Sequence, residues 1–395
     1  MKGCPSAIGS PTVINPTPSR RGICLATLAM IPILTPGSAW AAASDCRPGL
    51  RYDGPPLMSP PAGLDQLPRP SRSLATATDP GFIAVLEGAA DRIAAHAPAL
   101  SLAIAHPELG LWQSVRGTSP GNRFAAASIG KSMTAVVIFQ LADEGRLQAS
   151  DTLDRWFPDL PSSGLVTLDQ LLTHTSGYFL PATAPLGGPY TPPERDFERL
   201  RDTGPVFCPG TNWAYSNVGY QLLGRVIEAV DGRRYGDSLQ ARILEPLGLD
   251  ATHVLQAGTP DPLMVTGHTG GEPVGPVDYA TPFAAGPVSS TAGDLVRYWS
   301  ALLAARITST AALTRMTQAL YPMFGQANAA YGRGLQVSQV EGPGLLVHHS
   351  GGVTGFTAGV AWLAEDDLII AAMTNDRDVP AEAAIWSLTR ALRDA

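Results

Sequence analysis

A serine and a lysine three residues apart, Ser128 and Lys131, are the residues whose types and spacing could most directly do chemistry. On a helix, positions i and i+3 lie on one face and their side chains come within contact range. A lysine that loses its proton in a dry environment can activate a neighbouring serine hydroxyl as a nucleophile. Since serine is common, this spacing also arises by chance, and the pair needs support from the rest of the chain.

The lysine content of the chain provides that support. Of the 27 lysines and arginines, only Lys2 and Lys131 are lysine, and Lys2 lies in a predicted leader. Arginine can supply positive charge almost anywhere, but it does not give up its proton near neutral pH. The chain uses arginine at its other basic positions but lysine at position 131. This choice indicates that position 131 needs an amine that can become neutral.

A tyrosine and an asparagine just before a predicted helix, Tyr215 and Asn217, could extend this site. A phenol beside a cationic amine has its phenolate favoured, so Tyr215 could serve as general base and then as general acid. Asn217 could orient a substrate amide or Lys131. The alternative is an ordinary loop tyrosine followed by an asparagine that caps a helix.

A predicted strand from Leu345 ends in four residues that could bind substrate: His349, Ser350, Gly351 and Gly352. A free strand edge can pair with an extended substrate, and small residues let the two backbones approach closely. The alternative is a strand that simply leads into a glycine turn.

The surrounding pattern predicts an α+β fold in which segments from both ends of the chain build an antiparallel sheet. Apolar residues recur with helical spacing at 80–97, and residues 133–142 are expected to form an apolar core helix. Further helices are expected after residue 217, at 294–304 and at 382–392. Strand-like runs occupy 100–105, 111–115, 334–340, 345–349, 357–363 and 368–373. We expect an extended lead-in at 44–78, a hydrolase domain at 79–395 and a mainly helical lobe inserted at about 121–265, with a loop rich in proline and glycine at 181–193.

Residues 1–43 are predicted to be an export signal. Arg20 and Arg21 precede an apolar stretch at 22–34 that is too short to span a bilayer, and small-residue cleavage sites follow it. The paired arginine resembles a twin-arginine signal, which predicts a periplasmic or secreted protein with no stable membrane span. The alternative, a buried N-terminal helix, would contain Pro32 and Pro36.

Removal of the leader leaves two cysteines, Cys46 and Cys208. In an oxidising compartment they could form a disulfide, provided that their Cα atoms come close enough, which the sequence does not show.

Composition and missing motifs exclude several other classes of function. A formal net charge of −7 offers no basic footprint for nucleic acid. The histidines are scattered without H-E-x-x-H, and we expect neither a metal nor a cofactor. Ala125 stands where a P-loop needs its first glycine, and no G-x-S-x-G nucleophile elbow occurs.

Together, the three stretches resemble the penicillin-recognising serine hydrolases, a family of class C β-lactamases, D-Ala-D-Ala carboxypeptidases, D-aminopeptidases and related esterases. The resemblance covers residues 80–395. It is carried by S-x-x-K at Ser128 to Lys131, Y-x-N at Tyr215 to Asn217, and a third motif at His349 to Gly351, in the order typical of the family. The resemblance implies a β-lactamase/transpeptidase-like fold.

The resemblance also implies a role for each motif residue. Ser128 would be the nucleophile, Lys131 its activating amine and Tyr215 the proton shuttle to the leaving group. Substrate would be held by Asn217, His349, Ser350 and Gly351, and the oxyanion hole would be formed by the backbone N–H groups of Ser128 and Gly352.

A histidine at position 349, where class C β-lactamases usually carry lysine, disfavours strong β-lactamase activity. The expected substrates are therefore acyl-D-Ala peptides, esters or amides, cleaved by a carboxypeptidase-like peptidase or an esterase. A β-lactamase and a non-catalytic penicillin-binding sensor module stay open as alternatives.

Overall fold

The computed structural model describes residues 46–180 and 188–395. The predicted export signal and residues 181–187 of the predicted loop lie outside these ranges. From residue 46 to 79 the chain is largely irregular, with a 3-10 turn at Leu64–Gln66.

The strands of the described residues fall into one large sheet and two small ones. They are β1 Leu100–His106, β2 Gly110–Arg116, β3 Phe124–Ala125, β4 His253–Val254, β5 His268–Thr269, β6 Glu272–Pro273, β7 Val288–Ser290, β8 Tyr321–Pro322, β9 Ala329–Tyr331, β10 Gln336–Val340, β11 Gly344–Val353, β12 Phe356–Leu363 and β13 Leu368–Thr374. The large sheet has the order β2-β1-β13-β12-β11-β10-β9-β8.

Segments from the N-terminal and C-terminal parts of the chain pair with each other in the large sheet. Strand β1 pairs antiparallel with β2 on one side and with β13 on the other, where Leu100 lies opposite Thr374. This confirms the α+β prediction of an antiparallel sheet built from both ends. Strands β8 and β9 were not predicted, since two or three residues are too few to show an alternating pattern.

The helices of the described residues flank the sheet and fill the lobe. They are α1 Pro80–Ala94, α2 Gly130–Asp143, α3 Leu168–Leu172, α4 Glu194–Thr203, α5 Asn217–Asp231, α6 Tyr235–Leu239, α7 Glu245–Leu247, α8 Ala292–Leu303, α9 Thr310–Thr317 and α10 Ala381–Arg393. A π-helical turn at Gln240–Leu244 links α6 to α7. None of these helices is long and apolar enough to cross a membrane.

The two faces of the sheet bury different layers. Because side chains alternate along a strand, Leu102 and Ile104 of β1 pack with α1 and α10, whereas Ala103 and Ala105 join the core of α2, α5 and α8. Helix α1 begins where Asp79 accepts the N–H of Phe82 at 2.7 Å and proline occupies the first helical position.

Residues 121–265, which are predicted to form a mainly helical lobe, are rich in helix but also contain the short strands β3 and β4. Strands β3 and β4 pair with β7 in a three-stranded sheet, and β5 and β6 form a separate hairpin. Within the lobe, α2 is buried from Gly130 to Phe139, which confirms the prediction that this helix runs through a core. Its first turn therefore offers a dry and rigid position for a reactive side chain.

A disulfide joins the segment 46–79 to the segment before Tyr215. Cys46 is bonded to Cys208, with Cα atoms 5.2 Å apart. The structure thus resolves the question that the sequence left open.

Candidate active site

Ser128 lies on a sharp turn at the start of α2. The chain leaves β3, passes through a 3-10 turn at Ala127–Ile129 and enters α2 at Gly130. Ala127 has a φ of 47°, in the left-handed region that residues with a Cβ rarely adopt. The turn leaves Ser128 partly exposed, at a helix N-terminus where backbone N–H groups favour developing negative charge.

Lys131 connects three parts of the site, although its own side chain is fully buried. Its Nζ lies 3.1 Å from Ser128 Oγ, 2.8 Å from Asn217 Oδ1 and 2.8 Å from the backbone carbonyl oxygen of Ala285. The structure therefore brings Ser128, Lys131 and Asn217 together, as the sequence predicted. The carbonyl of Ala285 was not anticipated, because no side-chain type marks a backbone acceptor.

The contacts of Lys131 fit a neutral amine. Burial lowers the pKa of Lys131 well below its ordinary value. A neutral amine has two N–H donors and one lone pair, and the oxygens of Asn217 and Ala285 can only accept. With both donors used there, a neutral Lys131 would direct its lone pair at the hydroxyl of Ser128, 3.1 Å away.

Tyr215 completes the group beside Ser128. Its ring centroid lies 4.9 Å from Lys131 Nζ. Burial raises the pKa of Tyr215, and an interaction with the side chain of Ser128 only partly opposes that rise. Burial thus favours a protonated phenol at Tyr215 in the resting site, which disfavours the expected phenolate.

His174 supports the loop that carries Tyr215, a position that the sequence did not reveal. Nδ1 of His174 accepts the N–H of Ser216, and its carbonyl accepts the N–H of Ala214, both at 3.0 Å. Its ring also lies 4.4 Å from the rings of Tyr215 and Tyr331.

His349 is not placed to hold a substrate through its side chain. It is fully buried, with Nε2 3.1 Å from the hydroxyl of Tyr331 and Nδ1 2.7 Å from the carbonyl oxygen of Ser350. Burial lowers the pKa of His349 to about 3. The imidazole is therefore neutral and both of its nitrogens have partners, which disfavours the expected contact of its side chain with substrate.

The end of β11 offers an open edge near Ser128. Strand β10 pairs with β11 only as far as His348, whereas β12 pairs with it along its other edge to Val353. The N–H of Ser350 points to the open side, where Gln336 Oε1 accepts it at 3.3 Å. Alternate residues direct their N–H groups to the same side of a strand, so the N–H of Gly352 also faces the open edge.

The glycine at position 351 lets this edge approach the turn of the nucleophile. A Cβ at Gly351 would lie 2.2 Å from the carbonyl oxygen of Ala126, which is closer than any real side chain can come. The glycine thus allows the backbone of β11 to lie against the turn that carries Ser128.

Comparison with known proteins agrees with this arrangement. The model of the family described as Beta-lactamase matches residues 87–394. The chain belongs to the beta-lactamase family. This confirms the resemblance drawn from the three motifs, and it places the described site within the matched region.

Relatives of this beta-lactamase family member differ in their named activities. The chain is 29% identical over 249 residues to the D-alanyl-D-alanine-carboxypeptidase/endopeptidase AmpH of Escherichia coli K12, covering 56% of this chain and 62% of that protein. It is 32% identical over 145 residues to Esterase EstB of Burkholderia gladioli, covering 32% of this chain and 37% of that protein. The curated relatives are matched over 30% to 62% of their own length.

A solved structure shows the same fold. The D-amino acid amidase of Ochrobactrum anthropi SV3 superposes with a TM-score of 0.71 at 24% identity, covering 80% of this chain and 99% of that one. The architecture is therefore that of the beta-lactamase/transpeptidase fold, as the sequence predicted.

Proposed function

We propose that this protein is a serine hydrolase that forms an acyl-enzyme at Ser128. The observation that carries the proposal is the set of contacts around Lys131, a buried amine whose Nζ lies 3.1 Å from Ser128 Oγ and 2.8 Å from each of two oxygens that can only accept. This arrangement lets Lys131 take the proton of Ser128 as the hydroxyl attacks a carbonyl carbon.

In the acylation step, the oxygen of Ser128 bonds to the substrate carbonyl carbon and its proton moves to Lys131. The oxyanion that forms would accept hydrogen bonds from the backbone N–H groups of Ser128 and Gly352. As the bond to the leaving group breaks, Tyr215 donates its proton to the departing atom and regains one from Lys131. A water molecule then releases the acyl group by the same steps in reverse order.

For the substrate, we propose a D-Ala-ended peptide, an ester or an amide. Support comes from relatives named as a carboxypeptidase and an esterase, and from the open edge of β11, which can pair with an extended chain. Asn217, Ser350 and Gly351 remain the proposed substrate contacts. Since His349 is buried and neutral, we propose it as a group that positions Tyr331 and the end of β11.

The test is the intact mass of the protein after exposure to benzylpenicillin, with Ser128→Ala as the control, together with turnover of a simple ester. We expect an adduct or turnover in the wild type and neither in the variant. An adduct that never leaves, without turnover of any ester or peptide, would favour the non-catalytic penicillin-binding module. Rapid hydrolysis of the drug would favour a β-lactamase. No adduct and no turnover would refute the hydrolase.

We also propose that the protein is exported. The Cys46–Cys208 disulfide supports this, because disulfides persist mainly in oxidising compartments. Expression with its own leader in a bacterial host should give a shortened periplasmic form, and a host without twin-arginine translocation should retain the full-length chain. An unprocessed cytoplasmic product in both hosts would contradict export.

A further inference from the structure

The open edge of β11 is much shorter than the strand itself. Strand β10 pairs with β11 up to Gln336, which lies opposite His348. Ser350 and Gly352 direct their N–H and C=O groups to the same side as His348, because these groups alternate along a strand. At the other end, β11 stops at Val353. The open edge can therefore offer a substrate only the backbone groups of Ser350 and Gly352.

Both backbone groups of Ser350 are already occupied by side chains. Its N–H donates to Oε1 of Gln336 at 3.3 Å, and Nδ1 of His349 lies 2.7 Å from its carbonyl oxygen. A carbonyl oxygen can only accept, so Nδ1 carries the proton of the neutral imidazole. Both side chains are buried, His349 completely and Gln336 to 7% exposure. Within residues 46–180 and 188–395, Gly352 is then the residue of this edge whose backbone is left to pair with a substrate.

Gln336 caps β11 where β10 no longer covers it. It is the first residue of β10, and its side chain reaches past the last backbone pair to Ser350. The chain before it does not continue along β11. It packs against α2 instead, where a Cβ on Gly334 would lie 2.5 Å from the Cβ of Ala135. The side-chain amide of Gln336 therefore replaces the backbone carbonyl that a longer β10 would supply.

Tyr331 holds His349 in the orientation that caps the carbonyl of Ser350. The hydroxyl of Tyr331 lies 3.1 Å from Nε2 of His349, and both side chains are fully buried. With its proton on Nδ1, the imidazole accepts at Nε2, so the hydroxyl of Tyr331 donates. A buried ring held at both nitrogens is a fixed cap, and a substrate would have to displace it to reach the carbonyl of Ser350.

The direction of the sheet determines which part of a substrate meets these caps. A peptide on the open edge would take the place of β10, which runs antiparallel to β11. In an antiparallel pair, opposite residues exchange both N–H and C=O bonds at every second position. The proposed oxyanion contact places the attacked residue opposite Gly352, and the leaving group then runs back along β11. Its second residue falls opposite Ser350, where both groups are taken.

We propose that Gln336 and His349 limit the leaving group of the substrate to one residue, so that the enzyme releases a single terminal unit and does not cut within a longer chain. A second leaving-group residue would find neither hydrogen bond on β11 and would gain no affinity from the strand. This inference rests on the proposed hydrolase function and adds the length of the leaving group to it.

The test uses two neutral thioesters, benzoylglycyl-thioglycolamide and benzoylglycyl-thioglycolyl-glycinamide, whose leaving groups are one and two residues long. Release of the thiol gives kcat/KM for each, and the readout is the ratio of the longer to the shorter substrate. In the wild type we expect no preference for the longer thioester. Gln336→Ala frees the N–H of Ser350 and should raise the ratio about fivefold, the effect of one hydrogen bond.

Two further variants separate the cap from a general effect on the strand. Gln336→Glu keeps an acceptor at the same place and should keep the wild-type ratio. Gln339→Ala, at an exposed position of the same strand, should also keep it. Because each ratio is measured within one variant, a general loss of stability or activity does not change it.

The outcomes separate the two proposals. If the wild type prefers the longer thioester, or if Gln336→Ala leaves the ratio unchanged, the limit on the leaving group is refuted, while the hydrolase stands on the wild-type activity. If Gln336→Ala does not fold, the wild-type ratio decides alone. If the wild type cleaves neither thioester, the hydrolase proposal fails before any variant is compared, and the limit fails with it.

Discussion

His174 holds the backbone on both sides of Tyr215. Its Nδ1 accepts the N–H of Ser216 and its carbonyl oxygen accepts the N–H of Ala214, while its ring lies 4.4 Å from that of Tyr215. The phenol that would protonate the leaving group is therefore positioned by a residue that contacts neither Ser128 nor Lys131 through a hydrogen bond. A histidine in this position also carries its proton on Nε2, because Nδ1 is the acceptor.

Substitutions at His174 should distinguish the contribution of its hydrogen-bond acceptor from the contribution of its ring. Position 174 has a φ of 63°, a conformation that asparagine tolerates and phenylalanine does not. His174→Asn keeps an acceptor near Nδ1 and should retain most of kcat. His174→Phe keeps a ring but leaves the N–H of Ser216 without a partner, and should lose about 2 kcal/mol of stability and at least tenfold in kcat.

His174→Gly is the control for the backbone conformation, since it accepts the positive φ but offers no acceptor. Thermal melting and kcat of the three variants check the prediction. If glycine and asparagine perform equally well, the acceptor on His174 does not position Tyr215.

The sequence predicted the parts of the site that depend on side-chain type. Ser128, Lys131 and Asn217 were expected together and meet within 3.1 Å. The carbonyl of Ala285 and the open edge of β11 could not be predicted, because they are properties of the backbone that exist only once distant segments pack. The phenolate of Tyr215 was expected from a charged lysine beside it, whereas burial lowers the pKa of Lys131 and raises that of Tyr215.

The fold was predictable where the periodic pattern is long. The core helix α2 and strands β1, β2, β12 and β13 follow from helical or strand-like patterns of five residues or more, at 133–142, 100–105, 111–115, 357–363 and 368–373. The short strands β3, β4 and β7 are two or three residues long. They are defined by pairing with each other rather than by local preference, so no pattern along the chain marks them.

Lys131→Arg is expected to abolish turnover although it conserves charge. A guanidinium does not release its proton near neutral pH, so it has no lone pair for the hydroxyl of Ser128. It is also larger than the buried space that Lys131 fills. We expect a loss of at least about 1,000-fold in kcat, approaching that of Ser128→Ala, measured by ester turnover. Retention of more than a tenth of the wild-type rate would contradict the neutral-amine mechanism.

The pH dependence of kcat/KM should reflect Lys131 rather than the histidines. Lys131 must be neutral to accept a proton, so activity should rise with pH along a limb set by its lowered pKa. The pKa values of His174 and His349 are lowered by burial, so neither should contribute a limb near pH 6.5. The His349→Gln variant should show the same rise of kcat/KM at the same pH. If that rise disappears in the variant, the titrating group is His349 rather than Lys131.

Stability should fall in mild acid because of His349. In the folded state burial lowers its pKa to about 3, against 6.5 in the unfolded chain. Between these values the unfolded state binds more protons, so stability is lost as pH falls below about 6.5, by at most about 1.4 kcal/mol per pH unit for one proton. Denaturant unfolding at several pH values should show a shallower slope for His349→Gln. An unchanged slope would mean that other groups dominate the acid response.

The Cys46–Cys208 disulfide should stabilise the protein without taking part in the chemistry. It closes a loop across a sequence separation of 162 residues, which restricts the unfolded chain, and breaking such a link costs about 2–5 kcal/mol. The lead-in is also tied to the loop before Tyr215 by a hydrogen bond from the N–H of Asp53 to the carbonyl of Thr211 at 2.9 Å. This second contact should keep that loop in place near room temperature.

We therefore expect the double variant Cys46→Ser/Cys208→Ser to lower the melting temperature while kcat at 25 °C stays within about threefold of the wild type, since neither sulfur contacts Ser128, Lys131 or Tyr215. The single variants should melt at a similarly reduced temperature, because each breaks the same bond. A large loss of kcat in a double variant that is still folded would show instead that the disulfide holds Tyr215 in position, through the segment from Cys208 to Ala214.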